Sequence, residues 1–540
     1  MTDGEARGLL DRICERHGIA TSYADVWGVR HDVPPERLVQ LLRECGVELP
    51  ADDAVDNACL AKVEADAERA DWRRVLSPVR VLRAADDRLS ATLRLPADVA
   101  QVAWRVEEES GEIHQGAVQT SALEAVGRAE VDGKPHLQYT LDIALALPLG
   151  YHRLTIAGHP GETLLVCAPA QCHRPPALED GGRLWGLTLQ LYGLRSRRNW
   201  GIGDFSDLAA FAAQAAHEGA GVIGVNPLHA LFPHNPAHTS PYSPSSRAQL
   251  NALYIDVEAV PDFWMCEAAR QRVESPAFQA RLAELRETAL VDHAGVAAAK
   301  HEILELLYAN FRQTLDSDAA GEDPEVAALM QFRQTGGAAL QQHALFEALQ
   351  EHLHRADESV WGWPVWPEQY RDIDGPAVAE FAQRHEARIG YYEYLQWQAA
   401  RQLEAAGQQC KSAGMPVGLY LDLAVSVDRG GSDAWRHRAS FATGASVGAP
   451  PDVFNPNGQD WGLPPLRPDR LRETHYQVFI EALRANMRGA GAIRIDHVMV
   501  LMRLFWIPGA GSARDGAYVH YPFEELLAIL ALESERHRAS

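Results

Sequence analysis

No stretch of this chain approaches the ~20 consecutive apolar residues of a membrane-spanning helix. The start, MTDGEARGLLDRICERHG, carries acidic residues where a secretory signal needs a basic head. Neither a membrane partner nor export is expected. Cysteine is sparse: seven residues, at 14, 45, 59, 167, 172, 266 and 410, odd in number and without a CxxC pair. A reduced, cytoplasmic setting is the simplest reading. Basic residues are outnumbered 50 to 73, for a net charge of -23, so a polyanion is repelled and nucleic acid is not an expected partner. There is no Walker loop and no HExxH helix. NWGIGDFS offers Gly201 and Gly203 but Ser206 where a dinucleotide fingerprint needs its third glycine, which leaves a tight turn. His343 and Glu347 can share a helical face with His352 nearby, and without further ligands they read as solvated helix positions.

What is present is ordinary globular composition, 46% hydrophobic over 540 residues, enough for about three domains. Residues 1–78 read as helices: in PPERLVQLLRECG, Pro35 can start one, Leu38, Leu41 and Leu42 share a face, and Gly46 can stop it. From 79 to 170 the pattern is strand-like (LSATLRL, VAWRV, LQYTLDIALAL, YHRLTIAG, ETLLVC), with turns at DGKP and AGHPG, which predicts a small β-sandwich. The linker APAQCHRPPALEDGGR then opens a third region, 178–540.

In that region a unit recurs. WGLTLQLYGL is followed by a helix over SDLAAFAAQAAHEGAG, with Ser206 as the expected cap, and then by VIGVN. YYEYLQWQAARQLEAAGQQCKSAGM leads into VGLYLD, and RETHYQVFIEALRANMRGAG into AIRID. Each helix closes on glycine, and each following strand stays apolar until Asn226, Asp422 or Asp496. This is a parallel α/β pattern, open to a doubly wound sheet or a (β/α)8 barrel. In both, chemistry collects at the carboxyl ends of the strands. A mainly helical insertion at about 262–385 favours the barrel.

Asp496 ends a buried strand, where an unpaired carboxylate is costly. Arg494, two residues back on the same face, can hydrogen-bond to it and hold it ionised. A structural ion pair explains the spacing equally well; the location at a strand end favours function. The non-periodic loop GAPPDVFNPNGQDWG carries Asp452, Phe454, Gln459 and Trp461, and rings beside amide and carboxylate groups suit a sugar, as does Tyr242 in HTSPYSPSSR. A self-packed surface loop is the alternative for both.

Taken in order, WGLTLQLYGL with NWGIGDFSDL, NPLHALFP, SPYSPSSR, VGLYLDLAV, GAPPDVFNPNGQDWG and IRIDHVMVLMRLFWIP closely resemble the 4-α-glucanotransferases (amylomaltases) of glycoside hydrolase family 77. The residues ahead of 178 resemble the N-terminal extension of that family's longer bacterial members. The resemblance implies a (β/α)8 barrel that moves α-1,4-glucan segments between maltooligosaccharides without a metal or organic cofactor. It makes Asp496 the nucleophile, Arg494 the arginine that orients it and His497 the histidine that follows. Asp422 would lie beside the donor site, with Tyr242 and Ser240 in the donor-sugar segment. Asp452, Phe454, Gln459 and Trp461 would lie in the loop over the acceptor side.

One family feature has no match. YPFEELLAILALESERHRAS reads as the fourth helix of the barrel, so about four βα units are expected, and no segment carries the family's acid/base glutamate. Glu524 and Glu525 match no catalytic motif and suit a helix N-terminus. The expectation is therefore an incomplete barrel, truncated before that glutamate and inactive alone. Two other readings remain: a noncatalytic α-glucan-binding protein and an α-glucan hydrolase.

Overall fold

The structure is a computed structural model that describes residues 3–50, 55–84, 86–317, 320–509 and 511–540. It divides into two compact units: Met1–His173 with Ala439–Ile480 and His497–Arg536, and Arg174–Arg438 with Glu481–Asp496 and His537–Ser540.

The first unit begins with helices Asp3–Arg16, Pro35–Glu44 and Asn57–Arg73. Leu38, Leu41 and Leu42 are fully buried, as their spacing predicts, and Gly46 takes a left-handed φ of +81° just past the helix end. A β-sandwich follows. One sheet has the order Val79–Arg83, Glu162–Ala168, Gly150–Ile156, Gln101–Glu107, Ile113–Gln119, and the other Leu89–Pro96, Lys134–Ile143, Ala125–Val131. Leu89, Leu93 and Leu95 from one sheet share a core with Val106, Leu154 and Leu165 from the other. Ile113–Gln119 and Ala125–Val131 go unread in the sequence because their residues are mostly exposed and show little apolar alternation. The predicted helix through RETHYQVFIEALRANM is broken. His475 and Tyr476 take φ of +52° and +59° between helices Pro468–Glu473 and Gln477–Met487. The buried Tyr476 hydroxyl donates to Glu525 (2.6 Å), a bond that rewards the break.

The second unit is α/β. Strands Gly186–Leu189, Val222–Val225, Gly418–Leu423 and Ala492–Ile495 lie in that order in one sheet, every neighbouring pair parallel. Helices Phe205–His217 and Glu386–Ser412 supply Leu208, Ala212, Leu395 and Leu403 to a core shared with Ile223, Leu419 and Leu421. Helices between Glu267 and Arg384 occupy the insertion. Among the described residues no helix is long and apolar enough to cross a membrane.

Two local expectations fail. Asp204, not Ser206, caps helix Phe205–His217: its carboxylate accepts from the Asp207 amide while Asp207 accepts from the Asp204 amide. A reciprocal pair satisfies two otherwise orphaned amides, which one serine hydroxyl cannot do. Ser206 donates to Asp256 instead (2.6 Å). His343 and Glu347 are not solvated but 2% and 1% exposed, because the helix Pro324–Ala356 is covered by its neighbours around them. The turn at NWGIG is tight as read: a Cβ on Gly203 would lie 2.0 Å from the Leu191 carbonyl oxygen.

Three buried imidazoles make the fold acid-sensitive. The Ala424 amide donates to His229 Nε2 (3.1 Å), which requires that nitrogen to be unprotonated, and burial pushes His229 down to about 3. Burial likewise pushes His234 and His301 down to about 4. Because these folded-state values are depressed, below pH ~6.5 the unfolded chain binds protons that the folded chain refuses, and stability falls with pH. Each imidazole costs on the order of 2 kcal/mol at pH 5 relative to pH 7. Denaturant titrations at the two pH values should show this drop, and a smaller one in His229→Gln; an unchanged drop in that variant would contradict the assignment.

Candidate active site

The fourth parallel strand places Arg494 directly beside Asp422 of the third. Ala492, Ile493 and Ile495 are only half-buried, so this is not the buried strand expected from the sequence, but its register with the third strand brings two polar residues together at the strands' carboxyl ends. Arg494 Nη1 donates to both carboxylate oxygens of Asp422 (2.7 and 2.6 Å), and Nη2 donates to Asp496 Oδ1 (2.7 Å). The Asp496 amide donates to the Leu423 carbonyl (3.0 Å), so the ladder persists one residue past the strand and limits where that carboxylate can sit. The Tyr242 hydroxyl donates to Asp422 Oδ2 (2.8 Å).

These contacts give the two aspartates different characters. Asp422 is 5% exposed; the Asp496 side chain retains 24% exposure and takes no further hydrogen bond from the described residues. Burial pushes the Asp422 carboxyl above its ordinary value, against the pull of Arg494 and Tyr242. Tyr242 rises to about 12, through burial and then its bond to Asp422, and stays a hydroxyl donor at neutral pH. Arg494 is raised further still, chiefly by Asp422, and is a permanent cation. The result is an accessible carboxylate held by one arm of a guanidinium whose other arm is locked to a buried carboxylate. Such a group can attack an electrophilic carbon.

The segment that carries Tyr242 is clamped by residues that the sequence reading missed. Arg247 Nη1 donates to the carbonyls of Ala424 and Val425 (both 3.0 Å), just past the Asp422 strand, and its amide donates to Asp433 (2.8 Å). The Ser432 amide donates to Ser245 Oγ (3.0 Å). The arginine within SPSSR was the available signal, but its burial and its partners far along the chain are set by the fold. Ser240 is exposed, and its carbonyl accepts from the Ser243 amide.

The remaining predicted residues belong to the first unit. Asp452 Oδ1 accepts from the amides of Phe454 and Asn455 (2.8 and 2.6 Å), so it shapes its own loop and leaves Phe454 90% exposed. Gln459 accepts from Trp461 Nε1 (3.2 Å), and Trp461 meets His497 edge to face at 5.1 Å. His497 is left-handed, with φ +50°. The one grouping among the described residues with metal-ligand proximity, Glu108, Glu112 and His114, belongs to the β-sandwich and includes none of these residues.

The chain is similar to known proteins over most of its length. The glycoside hydrolase family 77 model, described as 4-alpha-glucanotransferase, matches residues 189–540, and a MalQ N-terminal beta sandwich domain matches 75–169. A Haemophilus influenzae 4-alpha-glucanotransferase is 41% identical over 72% of this chain, and a Mycobacterium tuberculosis one 36% identical over 98%. The chain spans 56% of the first and 70% of the second. An amylomaltase from Corynebacterium glutamicum superposes with a TM-score of 0.84 at 31% identity, over 99% of this chain and 71% of that one. The chain belongs to glycoside hydrolase family 77, the 4-alpha-glucanotransferase family.

Proposed function

We propose that the protein transfers α-1,4-glucan segments between maltooligosaccharides by a retaining double displacement. The observation that carries this reading is the Arg494 fork, which holds an accessible Asp496 carboxylate at a strand end beside Asp422 and Tyr242. In the first step Asp496 attacks the anomeric carbon, the bond to the glycosidic oxygen breaks, and that oxygen leaves with a proton from a general acid. In the second, the 4-hydroxyl of an acceptor glucan attacks the same carbon, gives its proton to the group that acted as acid, and releases the Asp496 carboxylate. Tyr242 provides a ring for the donor sugar. Phe454 and Trp461, with Asp452, Gln459 and His497, are assigned to glucan binding, and the exposed Phe454 ring supports this.

The acid/base carboxyl stands about 5 to 5.5 Å from the nucleophile in retaining enzymes. Asp422 does not suit that role, because Arg494 engages both of its oxygens. We assign the four parallel strands to the family's (β/α)8 barrel. A bound acceptor hydroxyl outcompetes water through effective molarity, which favours transfer over hydrolysis.

The test is incubation of the protein with maltotriose, followed by separation of the products. Glucose together with oligosaccharides longer than the substrate is the expected outcome. Shortened products alone would mean a hydrolase, and binding without any change in chain length a glucan-binding protein.

A further inference from the structure

Glu347 is among the most buried carboxyls of the chain, and neither of its oxygens has a hydrogen-bond partner. It lines a small cavity with Phe232, Pro233, His301 and Tyr392 that offers about 30 Å³ for water centres, room for one or two waters. Burying a carboxyl this way is expensive, and burial pushes Glu347 up to about 7. Packing alone would be served better by glutamine or leucine, so the position of the carboxyl needs another reason.

Its neighbours supply one. Glu347 Oε2 lies 3.6 Å from His234 Nε2, and Oε1 lies 3.9 Å from His343 Nε2. His234 belongs to the segment that leads towards Tyr242, and a few residues on His238 Nε2 meets the Ser243 carbonyl (2.8 Å). His343 Nδ1 meets Ser432 Oγ (3.1 Å), the Ser432 amide donates to Ser245 Oγ, and the Asp433 amide donates to the Ser245 carbonyl (3.0 Å). One imidazole thus leads to the approach to Tyr242 and the other to the residues just after it. The remaining polar neighbours are already engaged: Glu351 pairs with Arg388 and Arg355, and the Tyr392 hydroxyl is shared between Glu351 and His234.

We infer that Glu347 is a positioning residue for glucan binding: its approaches to His234 and His343, at 3.6 and 3.9 Å too long for direct hydrogen bonds and suited to a bridging water, hold both ends of the segment 231–247 and thereby fix the Tyr242 ring. The inference rests on the reading of Tyr242 as the donor-sugar platform. It makes Glu347 act through Tyr242 without touching substrate.

The test is a double-mutant cycle in the complete protein, with maltoheptaose affinity measured by calorimetry and hydrogen exchange followed over 231–247. Glu347→Gln should weaken binding about tenfold, and by little more once Tyr242 is alanine, because coupled residues are not additive. Exchange should rise in 231–247 and not across the parallel sheet. If Glu347→Gln does not fold, Ser432→Ala interrupts the same chain of bonds farther out and should give the same pattern more weakly. Unchanged exchange in 231–247, or a loss of affinity that adds fully to that of Tyr242→Ala, would overturn the inference. If Tyr242→Ala leaves affinity intact while exchange still rises in Glu347→Gln, the anchoring stands and the platform reading fails.

Discussion

Asp496→Asn should lower glucan transfer by roughly 10⁴-fold or more, while maltoheptaose affinity stays within about threefold of wild type. The amide keeps the shape of the carboxylate, and its oxygen can still accept from Arg494 Nη2, so the fork and the Asp422 contact survive. What it lacks is the charge and the nucleophilic lone pair needed to form an ester with the anomeric carbon. Binding made by rings and hydroxyl contacts elsewhere is untouched, so the loss falls on kcat. A variant that kept a tenth of wild-type turnover would remove Asp496 from the reaction.

Arg494→Met should cost about 10² to 10³ in kcat, the loss typical when one preorganised charged donor is removed from a site. The reason is that this single cation serves two carboxylates. Without it, Asp422, at 5% exposure, keeps only the Tyr242 hydroxyl, and its charge faces that of Asp496 with nothing between them. Burial already pushes the Asp422 carboxyl up, and without Arg494 it loses the main partner opposing that push and rises further. The acid limb of the pH–rate profile then moves to higher pH, and activity is lost as pH falls through the raised Asp422 value. Arg494→Lys should recover only part of the rate, because one ammonium cannot reproduce a fork across two partners. An acid limb that stays put in Arg494→Met would argue that the guanidinium is structural only.

The Asp496–Arg494 pair was legible because it is local: two residues apart on a strand, side chains share a face whatever the tertiary fold. The same guanidinium's grip on Asp422 spans 72 residues and depends on the register of two parallel strands, and the Tyr242–Asp422 bond spans 180. Nothing in the residue types announces either. The cap of helix Phe205–His217 was misplaced by two residues, since Asp204 and Ser206 are both capable caps and only the reciprocal partner Asp207 decides between them. Glu347 and His343 were misread because a polar face on a helix normally meets water. Here neighbouring elements cover it, and burial is a tertiary property that periodicity does not encode. The alternating apolar strands of the sandwich could be read directly, whereas its exposed strands could not.

The central claim, that Asp496 is the nucleophile of a double displacement, is met most directly by trapping the glycosyl-enzyme. A fluorinated maltosyl fluoride that forms the ester quickly and releases it slowly would be reacted with the complete protein, digested, and the labelled peptide sequenced by mass spectrometry. The account predicts a single maltosyl ester on Asp496, absent from Asp496→Asn. A label on Asp422 instead, or an unlabelled protein whose products show inverted anomeric configuration, would contradict it.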